Sequence, residues 1–550
     1  MNEQTDFSRE DAMLADAATK GPVGKALIYT RLSGPGWLQG AITLGGGSLA
    51  GALYLGVIAG YDLMWLQPIA MVLGVIMLSA ISYVALSTGE RPFQTLKTHI
   101  SPVLAWGWLI ATMMANIVWC LPQFALGTAS VQQNLLPSTN SDTGKIIVAI
   151  TILIVASVVV WFYNSGSKGI KAFELILKGM VGIVVLSFFG VVLAMTFEGA
   201  LDWGKIMAGF VPNLTYLFEP VPSLAASVSE TGEYRDWWTN MIAGIQKDRI
   251  ITAFATAVGI NMTFLLPYSM LRKGWGVKHR TLAIFDLSIG LIVPFVLATS
   301  CVVIAAASQF HGNSADVTQM LQDGKTDSSE VKEYFKFLDK RILEESPGAS
   351  EPELLAARES LPESDKQIAA MLVGRDNFAL AGTLEPLVGR TVAQTLFGVG
   401  VLGMAVSTII ILMLINGFAF CELMNVPPEG TMHRIGCFIP AVGVLGPFFW
   451  GQAAPALAVP TSVIGGAMLP IAYLSFLLLM NSRRALGDAM PTGIRRVVWN
   501  TLMIFATAVA GFGSAWGLLS KGTIGYVALA SIVVMLLLGV GGFIKKQSQN

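Results

Sequence analysis

Residues 34–60 read GPGWLQGAITLGGGSLAGALYLGVIAG. The stretch is apolar and long enough to span a bilayer, since a helix needs roughly 20 residues to cross about 30 Å of hydrocarbon. Its middle, however, holds Gly45-Gly46-Gly47-Ser48. Successive glycines weaken a helix and leave its backbone uncovered. A break at membrane depth is tolerated only where the freed amides and carbonyls meet protein or water. The run therefore predicts a discontinuous span with main-chain groups open to a ligand. The half-helix that starts there would present a positive dipole end, suited to a carboxylate or another anion.

The composition agrees with a membrane setting. Of 550 residues, 54% are hydrophobic and 13% charged, whereas a soluble chain carries roughly 25% charged residues. Acidic and basic residues balance at 35 each, so no basic excess marks a nucleic-acid binder. The apolar runs do not alternate as barrel strands do. The expected class is an all-α polytopic membrane protein held in a lipid bilayer.

Twelve candidate spans lie near 34–59, 63–87, 103–130, 146–163, 171–196, 251–271, 283–308, 392–421, 434–452, 458–481, 496–519 and 523–544. The loops after the even-numbered spans are basic. They hold Arg91 and Lys97, Lys168 and Lys171, Arg272 with Lys273, Arg434, Arg483 with Arg484, and Lys545 with Lys546. The positive-inside rule then puts both termini in the cytoplasm. The polar first residues show no cleaved signal peptide, which fits a bacterial inner membrane.

The expected organisation is a cytoplasmic tail (1–33), helices 1–5 (34–196), an extracytoplasmic loop (197–250) and helices 6–7 (251–308). An acidic extracytoplasmic insertion (309–391), helices 8–10 (392–481), and helices 11–12 with a short tail (482–550) complete the chain. The insertion holds 15 acidic and 9 basic residues. It reads either as a solvated cap or as a surface that attracts a partner or substrate. Its runs Ser329–Glu345 and Glu351–Ala357 read as short helices on either side of Pro347-Gly348.

The sixth span has a weak point of its own, Asn261-Met262-Thr263 followed by Pro267. Breaks at the first helix of spans 1–5 and the first of spans 6–10 mark an inverted-repeat secondary transporter, with its substrate between them at mid-membrane. Asn116, Gln123, Ser407 and Thr408 supply neutral hydrogen bonds nearby, and Trp119 and Tyr54 wall the cavity. Such a lining suits a small neutral, zwitterionic or anionic solute. It lacks the carboxylates that a dehydrated divalent ion usually needs. Hydrated Mg²⁺ tolerates fewer direct ligands and stays open.

Several short motifs also resemble one family in chain order. They are Gly34-Pro35-Gly36-Trp37-Leu38, Thr88-Gly89, Gly127-Thr128-Ala129 with Asn134-Leu135-Leu136, and Gly169-Ile170-Lys171 with Glu174. Tyr268-Ser269-Met270-Leu271, Glu422 and Leu469-Pro470 continue the series. The chain resembles the NRAMP divalent-metal transporters. The resemblance implies a leucine-transporter-type fold of two inverted five-helix repeats plus two C-terminal helices, and metal transport. The same alignment places this chain's differences. Gly45–Ser48 stand where the family carries Asp-Pro-Gly-Asn, and Asn261-Met262-Thr263 where it carries Met-Pro-His. Leu121 and Phe124 replace its helix 3 acids, and Met468 its helix 10 glutamine. A shift of one residue would make Met262 metal-facing, but no shift supplies an aspartate.

The candidate substrate-binding residues are thus Gly45, Gly46, Gly47, Ser48, Asn116, Gln123, Asn261, Met262, Thr263, Ser407 and Met468. None is assigned as a metal ligand. Glu174, Asp286 and Glu422 read as edge residues reaching water, and Lys178 reads as the i,i+4 partner of Glu174. In another reading, Lys178 stands in for a bound cation. Cys120, Cys301, Cys421 and Cys437 have no metal-site spacing and read as small buried hydrophobes. The absence of Gly-x-x-x-x-Gly-Lys-Ser/Thr and of a nucleophile triad argues against an ATP-driven pump or an enzyme, and no cofactor is expected. Three functions remain open: an NRAMP-type metal transporter with altered selectivity, a transporter of a small neutral, zwitterionic or anionic organic solute, and a transport-inactive sensor or structural membrane protein.

Overall fold

The computed structural model describes residues 2–163, 167–326, 328–375, 377–450 and 465–548. Helices make up nearly all of it, and no strand occurs among the described residues. The first span divides as its glycines require. α1 (Pro35–Thr43) ends at Leu44, Gly45 is extended, and α2 (Gly46–Ala59) departs at 52°. Pro35 opens α1 at a position where its missing N–H has no helical partner to lose. Gly45 is needed for proximity, since a Cβ there would lie 2.5 Å from Thr408 Oγ1 and 3.0 Å from the Ile42 carbonyl.

α3 (Leu66–Thr88), α4 (Pro102–Ser130), α5 (Asp142–Tyr163) and α6 (Ser167–Phe197) follow. The second broken span is α7 (Arg235–Ala257) plus α8 (Ile260–Arg272). Here the structure corrects the sequence reading twice. The break falls at Val258-Gly259, and Asn261–Thr263 form the first turn of α8 rather than the gap. α7 also begins well inside the segment read as a loop, because its polar residues from Arg235 onward join the same helix.

α9 (Arg280–Leu287) continues through a π-helical turn, Ser288–Ile292, into α10 (Val293–Phe310). α1 packs backbone to backbone on this turn, with a Cβ at Gly40 falling 2.2 Å from the Gly290 carbonyl. Small residues allow such approach in membrane bundles. The insertion folds into helices that include α11 (Ser329–Glu345) and α12 (Glu363–Leu372), with Glu351–Ser360 between them. The bundle then closes with α13 (Arg390–Leu423), α14 (Gly430–Phe438), α15 (Leu469–Met480), α16 (Gly493–Leu519) and α17 (Gly522–Gln547). The expected spans at 434–452 and 458–481 lie partly outside the described residues, at 451–452 and 458–464.

Among the described residues, nine helices are long and apolar enough to cross a membrane, or eleven if each sharply bent pair counts as one. α7–α8 is not among them: α7 by itself carries Lys247, Asp248 and Arg249 in its second half, and α8 has only 13 residues. α13 is central and packs against α4 and α6. Its apolar window is 83% buried, against 6% for α17, which turns Val527, Leu537 and Leu538 outward as a lipid-facing helix does.

Candidate functional site

The two breaks expose four helix ends, and each end would leave orphan N–H or C=O groups. Side chains take up groups at all four. At the C-terminal end of α1, Ser407 Oγ donates to the Ala41 carbonyl at 2.9 Å and Thr408 Oγ1 to that of Ile42 at 3.4 Å. At the start of α2, the Gly46 N–H donates to Gln123 Oε1 at 2.9 Å. At the end of α7, the Ala257 carbonyl accepts from Thr43 Oγ1 at 3.1 Å. At the start of α8, the Met262 N–H donates to Asn261 Oδ1 at 2.9 Å. The sequence reading had these main-chain groups free, and the structure corrects that. Gly47 alone in the Gly45–Ser48 run keeps partial exposure, and Ser48 is buried.

α4 supplies one wall because Trp108, Asn116, Trp119 and Gln123 recur at helical spacing. Trp108 Nε1 donates to Thr263 Oγ1 at 2.9 Å, and Thr263 in turn donates to the Ile260 carbonyl. Asn261 Nδ2 donates to Asn116 Oδ1 at 3.1 Å. Asn116 Nδ2 meets Asn416 Oδ1 at 3.5 Å, and Asn416 Nδ2 donates to the Gly436 carbonyl at 3.1 Å. All three asparagines are fully buried. Trp119 lies against the second break, where a Cβ at Gly259 would fall 2.5 Å from its ring.

Met262 turns its sulfur toward the gap, 3.1 Å from Thr43 Oγ1 and 3.4 Å from the Gly259 nitrogen. Met468 is half-buried at the start of α15. Its neighbours Ala467 and Leu469 line a separate apolar cavity with Gly74, Phe254 and Ala510. The structure thus brings Gly45, Gly46, Asn116, Gln123, Asn261, Met262, Thr263 and Ser407 to the two breaks.

Charge is kept away from this cluster. Among the described residues, no three His, Cys, Asp or Glu side chains are placed to hold a metal ion. The acids read as edge residues are instead engaged within the protein. Asp286 is buried and accepts from the N–H groups of Gly34 at 3.0 Å and Gly36 at 2.6 Å, capping α1. Glu422 is buried and meets Arg91 at 3.0 Å, Tyr268 at 2.9 Å and Gln94 at 2.9 Å. Glu174 pairs with Lys273 at 3.2 Å, while Lys178 donates to the Ser33 carbonyl at 2.7 Å. The expected Glu174–Lys178 helix pair is replaced by these contacts, which tie α6 to the base of α1.

Thr43, Trp108 and Asn416 were not singled out from sequence. Trp108 sits two turns before Asn116 on the same face of α4, and Asn416 is an isolated amide in a long apolar helix. Both patterns were present in the chain.

Two broken helices facing each other inside a helical bundle define a membrane protein of the leucine-transporter-type fold. The model described as "Natural resistance-associated macrophage protein-like" matches residues 36–326 and 369–516. The chain belongs to the NRAMP family of membrane transporters. Among solved structures, it is similar to a manganese transporter of Eremococcus coleocola in complex with an aromatic bis-isothiourea substituted compound. The identity is 13%, the TM-score 0.55, and the match covers 96% of each chain. A variant of the same transporter with one glutamate changed to glutamine gives 14% identity and a TM-score of 0.55 over 94% of each chain. At this identity the likeness concerns the fold. No curated protein sequence matches the chain.

Proposed function

We propose that this protein is a secondary transporter whose substrate binds between the two helix breaks, and that its selectivity departs from that of a dehydrated transition-metal carrier. The substrate class is a small neutral, zwitterionic or anionic solute. The observation that carries this reading is the neutral capping of the breaks, with Gln123 on the Gly46 N–H and Asn261 on the Met262 N–H. A net hydrogen bond contributes only about 0.5–1.5 kcal/mol, so a solute that offers its own acceptor to the Gly46 N–H can exchange with the Gln123 amide at little cost. A bare divalent ion would lose far more in hydration than neutral oxygens return, and burial of an unpaired charge is among the largest penalties in a protein. The basic loops orient the chain with both termini in the cytoplasm and the insertion outside.

One observation favours a second reading. The Met262 thioether at the gap is a soft donor, and soft donors select soft metal ions. Titration calorimetry with Mn²⁺, Mg²⁺ and a panel of amino acids, followed by flux in proteoliposomes, separates the two. Binding of an organic probe with no Mn²⁺ heat supports the first reading. Saturable Mn²⁺ binding and uptake would replace it with the second.

A further inference from the structure

The family match breaks off at residue 326 and resumes at 369, so all of α11 and the start of α12 lie outside what the family model describes. This added segment is not a loose solvated loop. It carries its own buried charged groups, with Arg341 2% and Asp365 1% exposed, and Arg375, 1% exposed, follows just where the match has resumed. Buried charges persist only when paired: Asp365 pairs with Arg341 inside the segment and Arg375 with Asp316 of the same insertion, and neighbouring contacts reach the bundle.

One end holds the start of α7. Trp238, fully buried on α7, donates to Asp365 Oδ1 at 2.5 Å. Asp365 also pairs with Arg341 at 3.4 Å, and the Arg341 guanidinium lies 2.9 Å from the centre of the Tyr234 ring, just before α7. The other end lies on α2. The Gly374 N–H donates to Glu333 Oε2 at 2.8 Å, and a Cβ at Gly374 would fall 1.7 Å from Tyr54 Cε1. The main chain at Gly374 therefore rests directly on the Tyr54 ring. Arg375 fixes this contact by a two-pronged pair with Asp316, at 2.5 and 2.8 Å, beside Phe310 at the end of α10. One folded body thus grips the outer half of both broken spans.

Beneath it the packing opens. Ala50 and Tyr54 form a buried pair detached from the main core. Among the described residues, no atom beyond its own stretch of helix comes within 4 Å of where a Cβ on the buried Gly51 would be. Arg249 of α7 closes the far side, its guanidinium 4.5 Å from the centre of the Tyr54 ring. We infer that residues 328–375 form a strap that shuts the entrance to the unfilled space above the first break, with the Gly374–Tyr54 contact as its latch. This inference rests on the proposed site between the breaks: a solute arriving from the insertion side reaches Gly46 only after Gly374 lifts from Tyr54.

The test needs no substrate. Gly51→Cys places a thiol in the unfilled space, and the purified protein in lipid nanodiscs is exposed to a water-soluble methanethiosulfonate reagent. Ser346→Cys, at an exposed position on the insertion, sets the unhindered rate. Gly374→Ala forces a methyl against the Tyr54 ring, and Arg375→Gln loosens the Asp316 clamp without a new clash. Gly51→Cys alone is expected to react slowly, and faster by about tenfold or more when either change is added, as for local opening of a protected site. Arg375→Gln decides the matter if Gly374→Ala does not fold. Labelling of Gly51→Cys at the Ser346→Cys rate, or no acceleration by the folded variants, overturns the strap. A failed uptake assay would count against the transport reading alone.

Discussion

Gln123 Oε1, from the middle of α4, accepts the N–H of Gly46, the first residue of α2, at 2.9 Å. A neutral amide thus stands at a helix start where the dipole favours an anion. On the proposed function, the group most suited to replace it is a carboxylate that arrives with the substrate. The caps at the other three helix ends follow the same pattern of neutral side chains on backbone groups.

Gln123→Glu fixes a carboxylate at the Gly46 N–H. Affinity for carboxylate-bearing probes is expected to fall by roughly tenfold or more, because the tethered group repels them and occupies their donor. Affinity for Mn²⁺ is expected to rise, since the change adds the missing hard ligand. Calorimetry on the purified variant reads both, and unchanged affinities would remove Gln123 from the site.

Gly45→Ala tests the close approach at the first break. The added methyl would meet Thr408 Oγ1 at 2.5 Å. Overpacking of this kind typically destabilises by about 1–3 kcal/mol, so the thermal midpoint and ligand binding should both drop. Thr408→Ala in the same background should recover part of the loss. Equal midpoints for the single and double variants would show that Thr408 does not restrict residue 45.

Glu422→Gln is expected to be strongly destabilising, contrary to what an edge residue would show. Glu422 is buried and pairs with Arg91, which is 32% exposed. Breaking a buried pair typically costs about 3–5 kcal/mol, and the partial exposure of Arg91 places this case toward the lower end. A fall in the thermal midpoint with the helical circular dichroism retained would bear this out. A midpoint within 1 °C of the parent, roughly the effect of a surface change, would refute it.

His311 predicts a pH dependence at the insertion side. Its Nδ1 donates to the Val57 carbonyl at 2.9 Å and its Nε2 accepts from Ser223 Oγ at 2.5 Å, joining the end of α2 to the short helix Pro222–Ser229 before α7. Burial holds its pKa below the usual histidine range, against the opposing effects of the Val57 bond and the Asp62 charge. The unfolded chain therefore takes up this proton first as pH falls below about 6.5. Stability conferred by neutral His311 is full above that value and declines as pH drops toward the folded pKa. The half-buried Asp62, whose pKa is raised by desolvation, acts in the opposite sense as pH falls. His311→Gln should flatten the drop in thermal midpoint between pH 7.5 and 5.5, a window set around the usual histidine pKa of about 6.5. An identical profile in the variant would show that His311 is not its source.

Local rules in the chain reached the first break, the helical class and the family. Three glycines in an apolar run permit little else, and Gly34-Pro35-Gly36 opens α1 as its proline requires. What depends on distant partners was not legible. α7 was hidden because Arg235, Asp236, Lys247 and Asp248 give its outer half the composition of a loop, and only packing against α2 and α3 makes it part of the bundle. Glu422 looked like an edge residue because Arg91, its partner, lies 331 positions away in the chain. The capping of α1 by Ser407 and Thr408 was equally remote, although their small hydroxyls in an apolar helix hinted at a use. The second break was misplaced by two residues because Asn261 and Thr263 look like helix breakers. In the structure both are satisfied locally and serve the first turn of α8.

The central claim is that the space between the breaks selects a small polar solute through neutral caps. Uptake of radiolabelled amino acids and of ⁵⁴Mn²⁺ into proteoliposomes, with the parent and Gln123→Glu in parallel, tests it most directly. The account predicts uptake of an organic solute by the parent, its loss in Gln123→Glu, and no manganese flux in the parent. Saturable manganese uptake by the unaltered protein would contradict it.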